Sequence, residues 1–187
     1  VSLRPDLIRT WACGDGPVDR EYVWHDMAQL WQTPEVGEAI MAAMQTASGW
    51  LIDEETSALD GAMSYIAGKE SRDPLRNAAG RPEKAIVAVS CTNRQRHASF
   101  IWPAYLGRDG VTARWRFDQG EIVSEGVRSL GTTVVLEGRS ADRFIDTLAD
   151  AEVLVVQVSG RSGQQEAVFE VAGGEDVVAA VLARCPR

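Results

Sequence analysis

Arg114 and Arg116 are the residues whose type and spacing most suggest chemistry. They alternate with Ala113, Trp115 and Phe117. Successive side chains of an extended chain point to opposite faces, so the two guanidinium groups share one face and the apolar residues the other. A guanidinium fork suits a carboxylate, which it holds through charge-assisted hydrogen bonds. With Arg94 and Arg96 close in the sequence, the pair suggests a small basic patch that anchors an acidic partner or a ligand carboxylate. The plainer alternative is a solvated sheet face on which the arginines pair with acids such as Glu121 and Glu125.

The remaining reactive residues do not form a known catalytic pattern. There are 2 histidines. His25 lies beside Asp26, and His97 follows Arg94 and Arg96 at a strand start. Neither belongs to HExxH or to a close His–Cys spacing, so no metal and no cofactor is expected. A hydrolase using one of them would need a concave pocket with a neighbouring carboxylate. The strand–elbow–helix motif GxSxG of serine hydrolases is absent, and Gly160-Arg161-Ser162-Gly163 looks like a hairpin turn. Gly14-Asp15-Gly16-Pro17 lacks the Lys-Ser/Thr of a phosphate loop. Asp53, Glu54, Glu55 and Asp60 lack EF-hand spacing and suggest a solvated acidic turn.

Three cysteines, Cys13, Cys91 and Cys185, allow at most one intramolecular disulfide. Cys91 ends an apolar strand and Cys185 lies at the chain's end. A bond between them would tie a C-terminal helix to the sheet. Two buried thiols are the alternative, and composition leaves both open.

These residues need elements to hold them. Ile86, Val87, Val89 and Cys91 form an apolar, β-branched run. A polar turn at Thr92–Arg96 follows, then the run Ala98–Trp102. Leu106–Gly110 breaks the pattern before Val111–Phe117. Three such runs with short polar breaks predict an antiparallel meander, the core sheet. Upstream, Trp50–Ile52 predicts a strand, and Ala62–Ala67 a strand with helix as competitor. Lys69–Glu83, with Pro74, Gly80 and Pro82, predicts a loop. Downstream, Glu121–Val127 and Thr132–Leu136 predict strands. Ser140 opens a helix with Phe144, Ile145 and Leu148 on its apolar face. Val153–Val158 and Glu166–Val171 predict strands about a turn at Ser159–Gly163. Glu175–Arg184 predicts a terminal helix with Val177, Val178, Val181 and Leu182 as its buried stripe.

The first 48 residues differ from the rest. Glu21–Trp31 suggests a helix. Thr33 as N-cap, Pro34 at the first helical position and the stripe Val36, Ile40, Ala43, Met44 and Ala47 predict a second. Trp24 and Trp31 either dock this segment onto the sheet or mark a protein-binding surface, since tryptophan is enriched at binding hot spots.

Composition narrows the function classes. The chain has 187 residues, 45% of them hydrophobic, and a net charge of −8. That charge argues against non-specific nucleic-acid binding and against an anionic membrane surface. Its ordinary meaning is solubility, and a protein partner with a basic face is the sharper alternative. No apolar run approaches the ~20 residues of a membrane span, so no membrane insertion is expected. The N-terminus shows no signal-peptide pattern. It begins at Val1, as a trimmed form would, so it says nothing of the compartment.

From Trp50 onward the order of elements resembles the TagO/VasI-type accessory proteins of type VI secretion, over roughly residues 50–187. Trp50-Leu51-Ile52 followed by Ser57-Ala58-Leu59-Asp60 is similar to that family's Trp-strand and turn. Ala88–Asn93 is similar to its Cys-ended strand, with Ser90 in place of Arg. Arg114-Trp115-Arg116-Phe117-Asp118 is similar to its Arg-Phe-Asp strand, and Phe169–Gly173 with Cys185 to its last strand, helix and Cys. The resemblance implies a Cys91–Cys185 disulfide and a periplasmic location.

The expected protein is therefore α+β: a mainly antiparallel β sandwich or curved sheet with an intervening helix, a C-terminal helix and a helical N-terminal extension. Residues 1–48 form the extension and 49–187 the β-rich domain. The expected function is non-enzymatic, that of an envelope accessory or adaptor protein binding another protein through Trp24 and Trp31 or through Arg114 and Arg116. The alternative is a cytoplasmic, phage- or defence-related acidic binding, inhibitor or immunity protein with reduced cysteines.

Overall fold

A computed structural model describes residues 48–57, 61–161 and 163–186. The chain divides into two units, Val1–Ala43 and Met44–Arg187. The expected helices of the extension, with Trp24, His25 and Trp31, lie outside the described residues.

The second unit is α+β and mostly antiparallel sheet. Its elements are β1 (Leu51–Thr56), β2 (Met63–Glu70), β3 (Leu75–Arg76), β4 (Pro82–Glu83), β5 (Ile86–Thr92), β6 (Gln95–Ile101), β7 (Thr112–Phe117), β8 (Val123–Gly126), β9 (Arg128–Ser129), β10 (Thr133–Leu136), α1 (Gly138–Leu148), β11 (Val153–Gly160), β12 (Gly163–Glu170) and α2 (Gly174–Arg184). Six strands form one sheet in the order β1-β2-β5-β6-β10-β9, and four form another in the order β12-β11-β7-β8.

One core joins both sheets and both helices. Val87, Val89, Ala98 and Phe100 fill it from the six-stranded sheet. Ala113, Trp115, Leu154, Val156, Val158 and Phe169 fill it from the four-stranded one. Phe144 of α1 sits where they meet, its ring centroid 5.4 Å from Phe100, 6.0 Å from Trp115 and 5.0 Å from Phe117. Such tilted and edge-on contacts suit the ring quadrupoles. The alternation in β5, β7 and β11 places every second side chain in this core, which is why these runs form half-buried strands.

The hairpin β5–β6 forms as expected, but its turn is shorter than Thr92–Arg96, because Thr92, Gln95 and Arg96 join the ladder. Asn93 and Arg94 are its two turn residues, both at positive φ (53° and 60°), the conformation that a two-residue turn needs to follow the strand twist. The third run does not continue this meander. β7 leaves β6 and pairs with β11 and β8 in the other sheet. Pro103 removes a ladder donor immediately after Trp102. The backbone N–H groups of Trp102 and Leu106 then donate to Thr132 and Gly131 instead. Residues 102–111 thus cross from one sheet to the other.

Two further expectations are corrected. Asp53–Thr56 are strand rather than turn, because they pair in register with Ile66 to Met63 of β2. The segment 69–83 is not a structureless loop. β2 extends to Glu70, and β3 and β4 form a small ribbon. Buried Ser71 staples its start: its hydroxyl donates to Asp73 O and accepts from Ala85 N–H. Arg72 N–H donates to Val168 O of β12, linking the segment to the four-stranded sheet. Ala62–Ala67 resolves as strand, with Tyr65 and Ala67 inward.

Candidate functional site

Arg114 and Arg116 lie on the outer face of the four-stranded sheet, because Ala113, Trp115 and Phe117 take the inner one. Register places their neighbours. Arg114 stands opposite Gln157, which stands opposite Glu166. Arg116 stands opposite Val155, which stands opposite Val168. The face therefore carries one polar row and one row that is cationic at β7 and apolar across β11 and β12. Ile122, 56% exposed, joins the apolar side just before β8. These side chains line an open groove of about 290 Å³.

The two arginines differ in their partners. Arg114 Nη1 donates to Gln157 Oε1 at 3.3 Å, and Gln157 Nε2 donates to Glu166 Oε2 at 3.4 Å. Gln157 thus connects a cation on one side to a carboxylate on the other. The Arg116 side chain makes no hydrogen bond or ion pair among the described residues, although its Nε is buried. A buried donor without a partner forfeits its hydration and gains nothing in return, at a cost of about 1–3 kcal/mol.

The wider basic patch does not assemble. Arg96 belongs to the other sheet and pairs with Asp142 of α1 at 2.9 Å. Arg94 sits in the β5–β6 turn and lines a separate cavity with Met63, Cys91 and Arg184. Glu125, a suggested partner of the Arg face, instead accepts a hydrogen bond from Ser140.

That second cavity borders the disulfide. Cys91 and Cys185 are bonded, with Cα atoms 5.8 Å apart. β5 brings Cys91 beside Tyr65 of β2, which pairs with Glu54 of β1. The last turn of α2 brings Arg184, whose Nη2 reaches both Glu54 carboxylate oxygens at 2.9 Å while its guanidinium carbon lies 4.5 Å from the Tyr65 ring centroid. Burial pushes the Tyr65 hydroxyl above its ordinary pKa. Arg184 opposes that shift and Glu54 adds to it. Glu54 is thus a structural anchor for α2 rather than part of a solvated turn.

His97 lies in β6 opposite Ser90, on the face away from Ala98 and Phe100, and its Nδ1 is buried without a partner among the described residues. No group of three or more His, Cys, Asp or Glu side chains suited to a metal gathers among the described residues. No described helix is long and apolar enough to cross a membrane. Comparison with known protein families, with curated proteins and with solved structures finds no match for this chain.

The sequence identified the two arginines and predicted both strands that complete the groove, but not that those strands join β7 in one sheet. Val155, Gln157, Glu166 and Val168 alternate with buried neighbours, and that pattern was visible. That β11 lies beside β7 was not, because alternation assigns faces and leaves partners open.

Proposed function

We propose that this chain is a non-enzymatic binding protein that takes an acidic group of a partner protein on the outer face of its four-stranded sheet. The observation that carries this reading is Arg116, whose guanidinium has no partner among the described residues and lines a groove that is apolar across Val155 and Val168. In a chain of net charge −8, such a group is a local exception to the field around it. Long-range attraction is therefore weak, and binding depends on short-range pairing after contact. Such a site favours a specific partner over polyanions in general.

The Cys91–Cys185 bond supports an oxidising compartment, where such bonds persist. Together with the resemblance of residues 50–187 to the TagO/VasI-type accessory proteins, it favours a periplasmic accessory or adaptor of an envelope apparatus. A cytoplasmic inhibitor or immunity protein would keep these cysteines reduced.

The test is site-specific photo-cross-linking in the source cells. A photoreactive residue at Val155 should trap a discrete protein, and Arg116→Gln should abolish that product without changing the amount of folded chain. Absence of any product, or one indifferent to the arginine, would remove this face as the binding surface. Thiol alkylation of the same protein, taken from the cells without reductant, checks the compartment. Cys91 and Cys185 recovered as free thiols would exclude the periplasmic reading.

A further inference from the structure

The groove's layout narrows the ligand, on the reading that this face binds a partner protein. We propose that it seats the C-terminal carboxylate of a partner chain whose last residue is apolar.

The layout separates one cationic end from an apolar floor by a single strand spacing. Val155 lies directly across from Arg116, and Val168 directly across from Val155. Neighbouring strands are about 4.8 Å apart. A carboxylate held by Arg116 must therefore have an apolar group within about one strand spacing to cover Val155, and within two to cover Val168. A C-terminal residue meets this condition, since its carboxylate and its side chain leave the same Cα. An internal Asp or Glu in an extended segment leaves Val155 uncovered, because its next side chain on the same face lies two residues on, about 7 Å away and beyond one strand spacing.

The polar row supplies the second constraint. Glu166 closes the far end of the row that begins at Arg114, and Gln157 is already held between them. A run of acidic residues crossing the face would bring a second carboxylate towards Glu166, where like charges repel. One carboxylate with an apolar body fits, and a polyacidic stretch does not. Arg114 lies two residues from Arg116 on the same face, so it adds positive potential at the same end.

Peptide titration of the whole isotope-labelled protein, followed by NMR, tests this. The probe is an acetylated tetrapeptide ending in leucine with a free carboxylate. Its controls are the same peptide as a C-terminal amide, and a tetrapeptide with internal aspartate and both ends blocked. The free acid should shift the Arg116 Nε–H and the Val155 and Val168 methyl signals saturably. The amide should bind at least tenfold more weakly, as should Arg116→Gln. Val168→Glu, which places a second carboxylate on the floor, should weaken binding similarly while the core methyl signals stay unchanged. Equal binding by the internal aspartate peptide, or no saturable shift at millimolar concentration, overturns the assignment. If the cross-linked partner itself shifts these signals while no peptide does, the binding reading stands and only the chain-end ligand falls. If neither shifts them, both fall.

Discussion

Removing the Cys91–Cys185 bond should destabilise the β-rich unit by several kcal/mol. The bond spans 94 residues. Chain-entropy reasoning for a closed loop of that size gives ~4.7 kcal/mol at room temperature, whereas measured losses more often fall at ~2–4 kcal/mol. A value in the middle of that measured range, ~3 kcal/mol, is expected, and α2 keeps other anchors that hold the folded state together without the bond. Val177, Val178 and Val181 stay buried, and the Arg184–Glu54 fork remains. That fork is partly exposed, so its own contribution is about 1 kcal/mol or less. In a unit of this size each kcal/mol moves the midpoint by roughly 2–4 °C, so reduction should lower Tm by roughly 10 °C. The assay is thermal unfolding by far-ultraviolet circular dichroism, with and without reductant, together with a Cys91→Ala, Cys185→Ala double variant. The reduced protein should match the double variant to within the small cost of the two alanine cavities. A reduced midpoint within about 2 °C of the oxidised one would refute the view that this bond restrains the unfolded chain.

Two further predictions concern the scaffold. A Cβ on Gly160 would overlap the Leu106 backbone carbonyl, which also accepts from Arg161 N–H at 2.7 Å. Gly160→Ala should therefore cost ~1–3 kcal/mol as the 102–111 crossover is pushed away, read as a lower urea midpoint; an unchanged midpoint would mean that this contact yields freely. Tyr65 gives a pH signature. Its ordinary pKa is 10.0 and burial raises it, so between the two values the unfolded chain has lost the proton that the folded chain keeps. Stability is then complete below about pH 10 and falls as pH rises through the folded value. Lys69, lowered from 10.5 by desolvation, acts in the opposite direction, so the comparison must be with Tyr65→Phe rather than between pH values alone. The Phe variant should lose less stability than the parent between about pH 9 and about pH 11 in urea unfolding, and parallel curves would contradict the buried-hydroxyl account.

How much of this was legible in the sequence depended on the range of the interaction. β5 and β6 were readable because a short polar stretch between two apolar, strand-like runs suggests a hairpin locally, although the turn itself is two residues rather than the expected Thr92–Arg96. The faces of α1 and α2 were readable from the spacing of Phe144, Ile145 and Leu148 and of Val177, Val178 and Val181. The path of β7 was not. Its alternation is identical whether it pairs with β6 or with β11, and the deciding contacts come from Thr132 and Gly131, about 25–30 residues downstream of the turn they stabilise. The acidic stretch Asp53–Glu55 misled for a related reason. Charges at a sheet edge resemble a turn, and protect that edge from pairing with other chains. In the groove, Arg114 and Arg116 were visible as chemistry, but their difference was not. Only the register with Gln157 and Val155 shows that one guanidinium is engaged and that the other has no partner among the described residues.

The affinity of the cross-linked partner for the parent protein and for Arg116→Gln, by calorimetry at one fixed ionic strength, tests the central claim most directly. Loss of a hydrogen-bonded, partly desolvated charge contact is typically worth 2–5 kcal/mol, so Kd should rise by roughly 30-fold or more. The Arg114→Gln control should weaken binding less, because that side chain is already engaged by Gln157. An unchanged Kd for Arg116→Gln would contradict the account and place the partner surface elsewhere on the molecule.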